Sequence, residues 1–173
     1  VTAYRTLTFP ERDDELLDEH RFVRSAWLSS YKHADHAGII AAEDWAGVMH
    51  PQLTKLLRRP GVRTILAYEP PDFFYGFICG DMSGAIAIVH YVYVKDAYRS
   101  ESGAGGSTAR TGPRHARGLF AALGVDPMEP FLATAKTGAS SRIALARKIP
   151  RARFAPNAVR YANYLAYHQE PTP

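Results

Sequence analysis

The residue best suited to proton chemistry in this chain is His90, in the run Val89-His90-Tyr91-Val92-Tyr93-Val94. A neutral imidazole takes up a proton near pH 7, so His90 could act as a general base. It could equally be a histidine buried in a sheet with both ring nitrogens satisfied. In a regular strand its side chain faces away from those of Tyr91 and Tyr93, which then read as packing residues. A bulge would break that parity. Other constellations are thinner. His33 and His36 bracket Asp35 in a short connector, but two histidines make no full ligand set, so no metal is expected. Ser29-Ser30 beside Tyr31-Lys32-His33 lacks a nucleophile elbow, and a hydrolase triad has no support. Cys79 is the single cysteine, which excludes a disulfide framework and a four-thiolate zinc site. In its apolar surroundings it reads as a small buried hydrophobe. Trp27, Tyr31 and Trp45 are chiefly core candidates.

Charge supplies a second chemical signal. Residues 1–100 carry 13 acids and 11 bases, whereas residues 101–173 carry 4 acids and 10 bases. Between Pro130 and Gln169 there is no acid, while Lys136, Arg142, Arg147, Lys148, Arg151, Arg153 and Arg160 are all basic. A one-sided field of this kind attracts phosphates, on a nucleotide-like cofactor or on nucleic acid. A solvated basic face accounts for the same pattern.

The elements that must position these residues follow from periodicity. Thr2 to Phe9 reads as an opening strand stopped by Pro10. Asp13 or Asp14 is expected to cap a helix running to Tyr31, with Leu16, His20, Val23, Trp27 and Tyr31 on one face. A short helix is expected around Glu43 to Met49. Another should begin at Pro51, bury Leu53, Leu56 and Leu57, and end before Pro60-Gly61. The period then changes. Val62 to Tyr68, Phe73 to Cys79 and Ala85 to Val94 are strand-like runs joined by short turns, and so predict an antiparallel meander. Ser100 to Pro113 reads as a mobile Gly- and Ser-rich loop. Arg114 to Leu123 is helical and closes at Gly124. Phe131 to Thr134 predicts a short strand, Ser140 to Lys148 a helix limited by Pro150, and Arg153 to Tyr167 a strand-bearing end.

This order predicts a mixed α/β (α+β) domain over 1–173, with a mostly antiparallel central sheet and helices on both faces. With 173 residues and 46% apolar composition, the chain can bury a core without a metal or disulfide staple. The longest apolar run, Ala85 to Val89, is too short to span a bilayer, and no signal segment opens the chain. A soluble, cytoplasmic protein without membrane partners is expected, and the opening at Val1 suggests a trimmed N-terminus.

The segment Val89-His90-Tyr91-Val92-Tyr93-Val94-Lys95-Asp96-Ala97-Tyr98-Arg99, with the later Arg114-His115-Ala116-Arg117-Gly118-Leu119-Phe120, resembles the core of the GCN5-related N-acetyltransferase family. Ser25-Ala26-Trp27-Leu28-Ser29-Ser30-Tyr31 is similar to a segment of its small phage-type members. The resemblance covers about Val62 to Lys148 and implies acetyl-coenzyme A as acyl donor. It implies that backbone N–H groups of Val92, Tyr93 and Val94 hold the pantetheine arm and acetyl oxygen. It also implies that Arg114, Arg117, Gly118 and Leu119 form the loop that cradles the pyrophosphate at a helix N-terminus. His90 stands where many members place a glutamate base. Two departures are visible: Phe120 replaces the second small residue of the loop, and the Ser100–Pro113 insertion precedes it. The family's leaving-group tyrosine has no match in the 141–148 helix, which leaves Tyr161, Tyr164 or water.

The expected function is that of an N-acyltransferase in which a primary amine of unknown identity attacks the thioester directly, without a covalent enzyme intermediate. Two alternatives stand beside it. One is a nucleic-acid-binding or nucleic-acid-modifying protein, suggested by the basic C-terminal third and interleaved tyrosines. The other is a catalytically silent relative that binds a partner.

Overall fold

The computed structural model describes residues 1–31, 44–98, 112–126, 131–134 and 152–154. Among the described residues, six strands form one sheet in sequence order: β1 (Ala3–Leu7), β2 (Val62–Glu69), β3 (Phe73–Asp81), β4 (Ile88–Val94), β5 (Phe131–Ala133) and β6 (Ala152–Phe154). The first four pair antiparallel, while β4–β5 and β5–β6 pair parallel. Helices α1 (Asp18–Tyr31) and α2 (Trp45–Leu57) lie between β1 and β2 in the chain. Helix α3 (Gly112–Leu123) joins β4 to β5, as a parallel pair requires of its crossover.

Strand alternation divides the core in two. Leu66, Phe77, Cys79 and Tyr91 pack beneath Val23 and Trp27 of α1 and Leu53 and Leu57 of α2. On the other face Ile65, Ala67, Ile78 and Val89 pack with Leu119 and Leu123 of α3. The sheet therefore carries helices on both faces, because β2, β3 and the N-terminal half of β4 are apolar on both. Trp27 stacks on Tyr91 with ring centroids 4.8 Å apart, which ties α1 to the strand that bears His90.

Three local expectations are corrected. The first helix does not start at Asp13 or Asp14: residues Asp13–Glu15 form a 3-10 turn, and α1 begins at Asp18. Asp13 is drawn off by Arg24 and Arg58, at 3.3 and 2.7 Å. His20 instead serves the helix start, accepting the Leu17 N–H at Nδ1 (3.1 Å). That leaves its Nε2 to carry the proton and donate to the Thr8 carbonyl, also at 3.1 Å. Pro51 does not separate two helices but lies inside α2. The carbonyl its ring would crowd is that of Gly47, on the exposed side of the helix. The third strand of the meander starts at Ile88 rather than Ala85. Asp81 Oδ1 accepts the Ser83 N–H (2.9 Å) and closes the preceding turn early.

Cys79 is fully buried, and burial, the largest influence, pushes its thiol up to about 12. Native protein at pH 8 is therefore expected to react with a maleimide at least about a hundredfold more slowly than denatured protein. Comparable rates before and after denaturation would show that the α1/α2 face opens readily.

Candidate functional site

His90 occupies a bulge. Cys79 pairs with Tyr91, but the next residue of β3, Gly80, pairs with Val89, so His90 is the extra residue on β4. The expected parity is thereby overturned. Tyr91 and Tyr93 belong to the α1/α2 face, and His90 lies against Thr134, in the field of Asp81 and Arg59.

Those groups fix its chemistry. The Thr134 hydroxyl donates to the His90 carbonyl (3.1 Å), which leaves its oxygen able to accept the Nδ1 proton at 3.5 Å. This arrangement assigns the proton to Nδ1 and the lone pair to Nε2. His90 is 1% exposed, and Nε2 has no hydrogen-bond partner among the described residues. Burial lowers its pKa to about 4; the Asp81 carboxylate opposes that shift and Arg59 reinforces it. The imidazole is thus neutral at pH 7.

Asp81, at the end of β3 and 2% exposed, faces the Arg59 guanidinium at 3.3 Å. Burial pushes its carboxyl up, but two hydrogen bonds from Ser83, the Arg59 charge and His90 together outweigh this and hold it below the usual range. Its Oδ2 and the Arg59 Nη1 are also buried without a hydrogen-bond partner among the described residues.

Along the C-terminal half of β4 a second feature appears. The Lys95 N–H donates to the Tyr75 carbonyl (2.9 Å), so positions 93 and 77 form a hydrogen-bonded pair and positions 92 and 94 do not. The amides of Val92 and Val94 therefore turn away from β3, toward the flank on which β5 lies, whereas that of Tyr93 is committed to the β3 ladder. Among the described residues, pairing with β5 covers Ile88 and Val89.

The residues expected to cradle pyrophosphate are placed differently. Helix α3 begins at Gly112, so Gly118 and Leu119 lie inside it and their amides serve intrahelical bonds rather than an anion. Gly118 is small for another reason: a Cβ there would sit 1.9 Å from the Tyr4 hydroxyl. Leu119 is fully buried against the sheet, Arg117 is exposed, and Arg114 lies in the first turn. No protein-family model matches this chain, and no curated protein matches it.

At the start of α3, His115 is buried and stacks on Tyr75 at 4.6 Å, and burial lowers its pKa. The Tyr75 hydroxyl donates to Glu69, and this bond, with some burial, pushes the phenol up to about 12. Sequence reasoning singled out neither Asp81, Arg59 nor Ser83. The available signal was an acid two residues beyond Cys79, on the parity of the buried face. No group of three or more metal-binding side chains occurs among the described residues. None of the described helices is long and apolar enough to cross a membrane. The His33–His36 connector, most of the 100–113 insertion, Lys136, the 140–148 helix, Tyr161 and Tyr164 lie outside the described residues.

Proposed function

We propose that the protein is an N-acyltransferase of the GCN5-related type that uses acetyl-coenzyme A. The observation that carries the reading is the flank of β4: after the His90 bulge, the Val92 amide turns away from β3, toward the side on which β5 lies. An amide-bearing pantetheine arm laid along that flank would continue the sheet as a strand does, and a thioester oxygen could accept the Val92 N–H. The element order β1–α1–α2–β2–β3–β4–α3–β5 and the change to parallel pairing at β4/β5 support it further. The coenzyme's phosphates would lie at the first turn of α3, around Gly112 to Arg114, where orphan N–H groups favour an anion. His90, neutral with its lone pair on Nε2, would receive the proton released by a primary amine as it attacks the thioester carbon. The carbon–sulfur bond breaks as the carbon–nitrogen bond is completed, and the departing thiolate of coenzyme A takes up the proton that His90 gives back.

Calorimetric titration with acetyl-coenzyme A, followed by thiol release over a panel of primary amines, tests the reading. One-to-one binding and amine-dependent thiol release are expected. Absence of both would sink it, and salt-sensitive retention on nucleic acid in their place would favour the phosphate-backbone alternative.

A further inference from the structure

Three polar atoms around the β4 bulge are buried and have no hydrogen-bond partner among the described residues: His90 Nε2, Asp81 Oδ2 and Arg59 Nη1. They come from separate elements. The bulge brings in His90, the last residue of β3 brings in Asp81, and the segment after α2 brings in Arg59. Arg59 Nη2 lies 3.3 Å from Asp81 Oδ2, and Asp81 pairs across the ladder with Ile88, two residues before His90.

Each atom has a defined hydrogen-bonding sense. Asp81 Oδ1 is occupied by Ser83, so Oδ2 is the oxygen left to accept. His90 holds its proton on Nδ1, toward Thr134, so Nε2 also accepts. Arg59 Nη1 can only donate. Two acceptors cannot satisfy each other, and both are too deeply buried to reach bulk water. Two acceptors and one donor are the complement of a single water molecule, which offers two protons and accepts at least one.

We infer that His90, Asp81 and Arg59 enclose one internal water that donates to His90 Nε2 and Asp81 Oδ2 and accepts from Arg59 Nη1. Asp81 is thereby a positioning residue for His90: through the water it holds the Nε2 lone pair in place and presents a carboxylate to any proton that arrives there. This deepens the acyl-transfer reading, on which the role of His90 as base rests, by naming the group that answers its charge.

The test uses the free protein and needs neither coenzyme nor acceptor. A high-resolution crystal structure should show one ordered water within hydrogen-bonding distance of both His90 Nε2 and Asp81 Oδ2. Nitrogen-15 spectra of the histidines at pH 7 should show His90 as the Nδ1–H tautomer. A dry site, a direct His90–Asp81 contact or an Nε2–H tautomer would each overturn the inference, and these wild-type measurements stand even if a variant fails to fold. Among variants, Arg59→Gln should raise the His90 titration midpoint and Asp81→Asn should lower it. Shifts in one direction, or none, would also count against the site. Where acyl transfer is present, the pH profile of kcat/KM should move with those midpoints. A wild-type protein with the water and the tautomer but no transfer would uphold the hydration site and overturn the acyl-transfer reading alone.

Discussion

Acidification from pH 7 to pH 4.5 is expected to cost this protein a substantial part of its stability, with His90 as the main source. The unfolded imidazole takes up its proton near pH 6.5, whereas the folded one resists until about 4 because it is buried. Between those values the unfolded state binds more protons, so stability falls as pH falls. Above pH 6.5 the contribution is complete. Over the full window it corresponds to about 3 kcal/mol, a large share of the 5–15 kcal/mol typical of a domain. His115, also lowered by burial, adds a smaller loss of the same sign. The lowered carboxylates Asp13, Glu69 and Asp81 act further down, because their contribution is lost only as pH falls below the ordinary carboxylate range. Urea unfolding at several values between pH 7 and 4.5 measures the slope, and His90→Gln should remove most of it. An unchanged slope in that variant would assign the acid sensitivity elsewhere.

The second large effect is expected at Gly76. A Cβ at this position would lie 2.2 Å from the Tyr93 carbonyl oxygen and 2.9 Å from the Val94 Cα. Both obstacles are backbone of β4, so no rotamer change relieves the clash, and β3 and β4 would have to part. Gly76→Ala should cost more than about 3 kcal/mol, or yield no soluble folded protein. Gly47 is the contrast. It lies in α2, and a Cβ there would meet nothing within 4 Å, so Gly47→Ala should stabilise by up to about 1 kcal/mol. Comparison of the two urea midpoints separates close strand approach from helix propensity, and equal effects would contradict both assignments.

The central strands were legible because their signal is local. The Ile-, Val- and aromatic-rich runs around Leu66, Phe77 and Val92, separated by Pro-Pro-Asp and Met-Ser-Gly links, read as a meander and form one. Helix boundaries were less legible where long-range charge or exposure decides them. Asp13 looks like a cap until Arg24 and Arg58 arrive from distant segments, and Pro51 looks like a first helical residue unless α2 already passes through it. The candidate site divides in the same way. A histidine in an apolar run is visible in one dimension. The facing of His90 is not, because it depends on how β4 registers against β3, and Arg59 and Asp81 meet only through the fold.

The bulges carry a further consequence. Striking His90 from the chain would bring Val89 next to Tyr91, and the pairs Gly80–Val89 and Cys79–Tyr91 would then be consecutive rungs of an unbroken ladder. No apolar side chain would change face: Val89 would still meet α3, and Tyr91 would still meet Trp27. Tyr75 holds the same position on β3, where Ala67 pairs with Gly76 and Tyr68 with Phe74. The sheet could thus be written two letters shorter and keep its layers. The two surplus letters are a histidine in the field of the Asp81–Arg59 ion pair and a tyrosine that meets Glu69 and His115. The strands give up regular pairing at just those points, and the polar side chains of both sites enter the protein through the gaps.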